Sequence, residues 1–320
     1  QNRWVCLRRE WSAGSGGAEM KAFVGVTDYE WYQRLSSQAY DEVNFWKPGG
    51  STNFKALEPG ELFLFKLHAP LNYIVGGAYF VRFHILPSFL AWEAFGQKNG
   101  TRSFEELENR IAKYRKTTDS NPQIGCIILG SPFFFPESDW IPAPSDWGKS
   151  IVQGKTYDSD SPIGNALLDA VFERIRKPYE RESVGKEEGA REGLTLVKYR
   201  IGQGTFRVMV TEAYHRRCAI SGEKTLPVLD AAHIVPFNEK GSYSVQNGLL
   251  LRKDIHTLYD KGYLTVTPCY HVEISSRLKQ DYGNGKIYYA YHGQELPNLP
   301  SNPNERPLNT TFPMSETIRA

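Results

Sequence analysis

The sequence predicts an α+β chain of two domains: an N-terminal β-barrel with flanking helices, and a C-terminal ββα unit built to hold a metal ion. Three observations predict it. Residues 20 to about 150 alternate short β-favouring runs with aromatic, Gly/Pro-rich loops. Residues 177–193, KPYERESVGKEEGAREG, are charged and lack apolar anchors, as a linker would be. Residues 218–264 then place two histidines, an asparagine and carboxylates along a strand–loop–helix pattern.

The elements follow in order. Residues 1–19 contain SAGSGG and read as a foreign or upstream-translated leader, since Met20 opens a strong strand, KAFVGVT. ELFLFKL, YIVGGAYFVRFHIL and IGCIILG continue the strand set, and SFEELENRIAKYRK reads as a helix with Ser103 and Glu106 as a capping box. Short strands with one or two helices imply a closed barrel. Residues 151–176 read as an amphipathic helix with Ile163, Leu167, Ala170, Val171 and Ile175 on one stripe. With the charged run they form a helix-and-linker segment over 151–198. The second domain spans 199–292, and 293–320, rich in Pro and Asn, is a peripheral tail.

Within the second domain, LPVLDAAHIVPF reads as a strand carrying His233, which Pro236 ends. NEKGSYSVQNG is a loop closed by Asn247, whose amide can hold the loop's shape. LLLRKDIHTLYDKG reads as a helix stopped at Gly262. There His256 and Asp260, at i and i+4, share one face. Such a grouping suits hydrolysis of a phosphodiester. A divalent ion (Mg²⁺, Mn²⁺ or Ni²⁺) neutralises developing charge, and a base with a near-neutral pKa deprotonates the attacking water. His233 is the expected base. His256 is the first metal ligand, with Asp260 and Asp230 as partners. A regular strand would point Asp230 and His233 to opposite faces, so a bulge is expected between them. GQGTFRVMVTEAYHRRC enters a helix from a glycine turn. Arg207, Arg216, Arg217, Arg252 and Lys253 are the basic residues nearest the site and candidate phosphate contacts.

The runs YRIGQGTFRVMVTEAYHRRCAISG, LDAAHIVPF and NGLLLRKDIHTLYDKGYLTVTP resemble the HNH endonuclease domains of bacterial modification-dependent, type IV-like restriction enzymes. The intervals His233 to Asn247, 14 residues, and Asn247 to His256, 9 residues, carry the resemblance, which covers nearly a third of the chain. Ala232 stands where many such sites have a metal-binding Asp or His, and the CxxC zinc knuckles are missing. The resemblance implies His233, Asn247 and His256 as catalytic residues. Phe45-Trp46, Pro59-Gly60-Glu61 and Ile74-Val75-Gly76-Gly77 come in the order of the PUA-like superfamily (EVE, YTH, ASCH and SRA types). That resemblance implies a reader of a flipped, modified base. Trp31, Phe45 and Trp46 would be its walls, with Tyr29 and Trp92 behind, and Asn44, Ser51, Asn53 and Asp28 would read the base edge.

Composition narrows the classes. A net charge of +2 on 320 residues excludes a polycationic DNA coat. Four cysteines without paired spacing exclude a disulfide framework or a zinc ribbon. No apolar run of 18 residues or signal-peptide pattern occurs, so a cytoplasmic bacterial protein is expected. The combined expectation is a metal-dependent endonuclease that flips 5-methyl- or 5-hydroxymethylcytosine in double-stranded DNA and cuts nearby, with a homodimer for double-strand breaks. Reading of phosphorothioate DNA, or regulation by an inert nuclease fold, are the alternatives.

Overall fold

The computed structural model describes residues 4–7, 20–49, 53–115, 119, 121–183, 195–198, 202–235 and 242–307. Ser51 and Pro236 lie outside the described residues. The chain divides into two compact units, Gln1–Ile201 and Gly202–Ala320.

The first unit runs β1 (Trp4–Leu7), β2 (Lys21–Thr27), α1 (Tyr29–Ser36), β3 (Glu42–Lys47), β4 (Leu62–Leu67), β5 (Tyr73–Pro87), α2 (Ser88–Phe95), α3 (Phe104–Arg115), β6 (Gln123–Phe134), β7 (Ile141–Pro142), β8 (Gly154–Asp158), α4 (Pro162–Ser183) and β9 (Thr195–Lys198). Its sheet has the order β3-β6-β5-β4-β2-β8, with β7 added beside β5. Among the described residues of this sheet, only β2 and β4 pair in parallel. This corrects the expected closed barrel. β3 and β8 are opposite edges that do not pair with each other, so the sheet stays open. The register of β5 against β6 shifts between Gly77 and Tyr79 and again between Phe80 and Arg82, irregularities of the kind that bend a strand locally. Gly76, at φ +157°, lies so close to β6 that a Cβ would meet the Phe133 carbonyl oxygen at 2.2 Å. Gly76-Gly77 is therefore a close-approach motif, since a side chain there would force β5 and β6 apart.

Other expectations shift in detail. The capping box of α3 is split: Ser103 Oγ accepts the Glu106 N–H at 3.2 Å, while the Glu106 carboxylate accepts the Arg102 N–H at 2.9 Å. Residues 154–158 are a strand paired with β2, and α4 starts at Pro162 and runs to Ser183, inside the expected linker. Trp4–Leu7, in the expected leader, pairs antiparallel with Thr195–Lys198.

The second unit runs α5 (Gln203–Ala213), β10 (Leu229–His233), β11 (Gly248–Arg252), α6 (Lys253–Asp260), β12 (Leu264–Val266), β13 (Val272–Ile274), α7 (Arg277–Tyr282) and α8 (Lys286–Tyr289). The helix expected over LLLRKDIHTLYDKG is two elements. Leu249, Leu250 and Leu251 are fully buried and form β11 against β10, and α6 begins only at Lys253. An apolar triplet this buried fits a strand packed on both faces. Gly262 does follow the helix end, at φ +72°. Residues 293–307, the described part of the expected tail, pack rather than trail: Leu296 is buried and Asn298 Nδ2 donates to the Cys218 carbonyl at 3.2 Å. Among the described residues no helix is long and apolar enough to cross a membrane.

Candidate functional site

β10 and β11 pair one-to-one from Leu229↔Arg252 to His233↔Gly248, and α6 follows β11 directly. The hairpin thus holds His233 at one end, and the helix returns His256 to the other. No bulge interrupts β10, contrary to expectation. Asp230 reaches the site because α6 packs beside β10, which sets Asp230 Oδ2 3.5 Å from His256 Nδ1. On the opposite ring nitrogen, His256 Nε2 lies 3.3 Å from Asp260 Oδ2. His256 is therefore flanked by two carboxylates.

Asn247 is 8% exposed and spends its amide on the loop backbone. Its Oδ1 accepts the Val235 N–H at 2.8 Å, and its Nδ2 donates to the Val235 and Ser242 carbonyls at 3.0 and 2.9 Å. One side chain thereby ties the two ends of the loop together. His233 has a different environment. Its ring stacks on Phe206 of α5, with centroids 4.1 Å apart and planes at 12°, and Tyr243 presents an edge at 5.3 Å. His233 Nε2 is buried without a hydrogen-bond partner.

The charges are ordered. Burial, then the nearby His256, lower the pKa of His233 from its ordinary 6.5, so it is neutral near pH 7. Burial opposes charge on His256 too, but its hydrogen bond to Asp230 and the charges of Asp260 and Asp230 outweigh it and raise the pKa. Asp230 is lowered for the same reason: burial opposes ionisation, and His256 and Arg207 overcome it.

Among the described residues, no three His, Cys, Asp or Glu side chains converge as a ready metal centre. The donors nonetheless fit one. Two ligands at right angles on an ion with bonds of about 2.1 Å stand roughly 3 Å apart, close to the His256 Nε2–Asp260 Oδ2 separation of 3.3 Å. Asp230, on Nδ1, sits where an orienting carboxylate fixes the tautomer of a ligating histidine.

The five basic candidates differ. Arg207 Nε lies 3.8 Å from Asp230, and its Nη2 donates to the Leu229 carbonyl. Arg216 pairs with Glu212, and Arg252 forks onto Asp254 at 2.6 and 2.8 Å. Arg217 and Lys253 are exposed.

In the first unit a cavity of about 330 Å³ is lined by Trp31, Phe45, Trp46 and Asp28, together with Phe23, Thr27, His68, Gln153 and others. Its walls are unequal. Trp31 is 4% exposed and packs edge-on against Phe45 and Phe65, so it belongs mainly to the core. Trp46 is partly exposed, and its indole N–H donates to the Asn99 carbonyl at 3.0 Å, which fixes the ring. Asp28 is engaged twice, capping α1 through the Trp31 N–H and pairing with Arg110. Asn44 does not line the cavity; it is fully buried and donates to Asn99 Oδ1 at 2.8 Å. Asn53 and Tyr29 are exposed and outside the lining, and the partly buried Trp92 is outside it too. Phe206, Tyr243, Thr27, His68 and Gln153 were not singled out from the sequence. Phe206, His68 and Gln153 come from elements distant in the chain from the named candidates, and no local pattern marks Tyr243 or Thr27.

Solved structures similar to the N-terminal region include the crystal structure of ASCH from Zymomonas mobilis, 12% identical over 34% of this chain and 67% of that one, with a TM-score of 0.26. Two single-residue variants of that protein are 10% identical and cover 47% of this chain and 97% or 94% of theirs, with TM-scores of 0.31 and 0.32. No curated protein matches the chain. Residues 218–267, which span the hairpin, its loop and α6, match the family model of an HNH endonuclease.

Proposed function

We propose that this chain is a metal-dependent DNA endonuclease whose first unit reads a modified base, foremost 5-methyl- or 5-hydroxymethylcytosine, and whose second unit cuts nearby. The observation that carries the reading is the neutral, half-buried His233 beside the Asp230–His256–Asp260 row, inside a segment that matches an HNH endonuclease. A neutral imidazole can take the proton of an attacking water at pH 7. Asn247 keeps the intervening loop in shape. His256 Nε2 and Asp260 would hold a divalent ion, with Asp230 orienting the His256 ring. When bound, that ion supplies charge neutralisation at the scissile phosphate. Arg217 and Lys253, exposed and with no ion pair among the described residues, would contact the phosphates.

The cavity supports the reading half. A flipped base needs flat apolar walls and a few edge-reading groups. Phe45 and the anchored Trp46 supply walls, and Thr27, His68 and Gln153 supply polar edges in place of Asn44 and Asn53. The biological role would be restriction of modified foreign DNA in a bacterial cytoplasm. One nuclease centre cuts one strand, so a double-strand break needs a dimer or two binding events. Matched duplexes carrying C, 5-methyl-C, 5-hydroxymethyl-C, glucosylated hydroxymethyl-C or N6-methyl-A, incubated with Mg²⁺, Mn²⁺ or Ni²⁺, test the proposal. Cleavage confined to modified cytosine and abolished by EDTA is expected. Equal cutting of every duplex would remove the reader, and undiminished cutting in chelator would remove the metal mechanism.

A further inference from the structure

We propose that Phe206 is a positioning residue for the hydrolytic centre: its ring, stacked flat on His233, sets the orientation of the base. This rests on His233 acting as that base. The stack is tight and nearly parallel, at 4.1 Å and 12°. Phe206 is itself held. It is 1% exposed on α5, and its Cζ lies only 3.0 Å from where a Cβ on Gly248 would stand. Gly248 is the residue paired with His233 across the hairpin. The absence of a side chain at Gly248 thus leaves room for Val210, whose Cγ2 such a Cβ would meet at 2.4 Å, and for the ring that supports the histidine.

His233 needs such support. Its Nε2 is buried without a hydrogen-bond partner, so no hydrogen bond at that nitrogen fixes the ring. The restraint that a carboxylate gives His256 is supplied to His233 by contact with two aromatic faces, Phe206 flat and Tyr243 edge-on. The next residue on α5, Arg207, pairs with Asp230 and donates to the Leu229 carbonyl. One turn of α5 therefore braces both ends of β10. This helix precedes the segment that matches the endonuclease family, so the support comes from outside the matched residues.

The competing explanation is that Phe206 only fills the core. Single-turnover nicking of supercoiled plasmid DNA carrying 5-methyl- or 5-hydroxymethylcytosine, with Mn²⁺, separates the two. Phe206→Leu, which keeps an apolar side chain and removes the flat face, should lower the rate at saturating DNA by about 10-fold or more, the size expected of a misplaced catalytic group. The DNA concentration for half-maximal rate should not change. In a His233→Ala background the same substitution should cost nothing further, because its effect runs through the histidine. Val208→Ala, a fully buried neighbour on α5, controls for core damage and should keep the wild-type rate. NMR provides a readout independent of activity. The carbon-bound ring protons of His233 should be shifted upfield by the Phe206 ring in the wild type, and that shift should vanish in Phe206→Leu. Absence of the shift in the wild type overturns the inference even if the variant does not fold. An equal rate loss with and without His233 overturns it as well. If His233→Ala cuts at the wild-type rate, or the wild type does not nick at all, the endonuclease reading falls first and the positioning role with it.

Discussion

The two units assemble their candidate sites in opposite ways. In the second, His233, Asn247 and His256 lie within one hairpin and the helix that follows it, so the geometry is set by neighbours in sequence. In the first, the cavity draws on β2, α1, β3, α3 and loops as far apart as His68 and Gln153. A local site is readable as spacing, whereas a dispersed one is readable only as topology. The difference extends to what each aromatic does. Phe206 stacks flat on His233 with Tyr243 beside it, but the rings of the first unit form a continuous cluster in which wall and core merge.

Removing the centre of the local site has the largest expected effect. His233→Ala should reduce cleavage by about 10²–10⁴-fold, the usual range for a general base, while DNA binding in gel-shift titrations holds. A folded variant cutting at the wild-type rate would mean that the spacing readable in the sequence marks an idle site. Next in size is a substitution that separates core from wall. Trp31→Ala should cost about 3–5 kcal/mol of stability in urea unfolding, as large buried aromatics do. Its ring packs against Phe45 and Phe65, and a Cβ at Gly100 would meet it at 2.1 Å. A cost below about 1 kcal/mol would instead make Trp31 a free wall, since buried aromatic deletions fall well above that.

These outcomes bear on what was legible. The strand run through His233, the loop closed by Asn247 and the stop at Gly262 were all marked by local chemistry: β-favouring residues, a turn-forming amide, a glycine at positive φ. LLLR was misassigned to the helix because a short apolar run carries no period that distinguishes strand from buried helix. The open sheet was missed because closure depends on whether β3 and β8 meet, and nothing in either strand encodes its non-partner. Asn44 illustrates the same limit. An asparagine beside Phe45 looked suited to reading a base, but β3 turns it inward to Asn99. The ring support at Phe206 had no signal at all, since an apolar position in α5 resembles any other core residue.

Two middle-sized predictions sharpen the contrast. Asn247→Asp keeps the acceptor for the Val235 N–H but cannot donate to the Val235 and Ser242 carbonyls. It should destabilise the second unit by about 1–3 kcal/mol, the cost of leaving buried polar groups unsatisfied. Hydrogen exchange should show the loss at residues 242–248. Exchange unchanged there would detach Asn247 from the loop. Trp46→Ala should lower the preference of the protein for modified over unmodified duplex by about 1–3 kcal/mol if the ring stacks a base, measured by fluorescence anisotropy, with Mn²⁺ affinity unaltered. No change in preference would assign the cavity to packing.

The smallest effect concerns protons and metal at His256. The raised pKa of His256 means that the metal-free protein gains stability from the charged imidazole below its ordinary 6.5, and loses it as pH rises through the raised value. The lowered pKa of Asp230 contributes stability above its ordinary 3.8, lost as pH falls through the lower value. Both contributions are full only between those two pH values. A divalent ion held by His256, as proposed, would need the neutral imidazole, so metal and proton would compete for it. Calorimetric Mn²⁺ affinity should therefore strengthen from pH 6 toward pH 8, by up to about tenfold per pH unit below the raised pKa and less above it. Over the same interval the stability difference between metal-free wild type and His256→Gln should shrink, because the pairing with Asp230 and Asp260 fades as the imidazole loses its charge. Affinity that stays flat from pH 6 to 8 would place the ion away from His256. A stability difference that stays flat would instead mean that the two carboxylates do not hold the imidazolium, and that the row built by β10 and α6 is a neutral hydrogen-bonded arrangement.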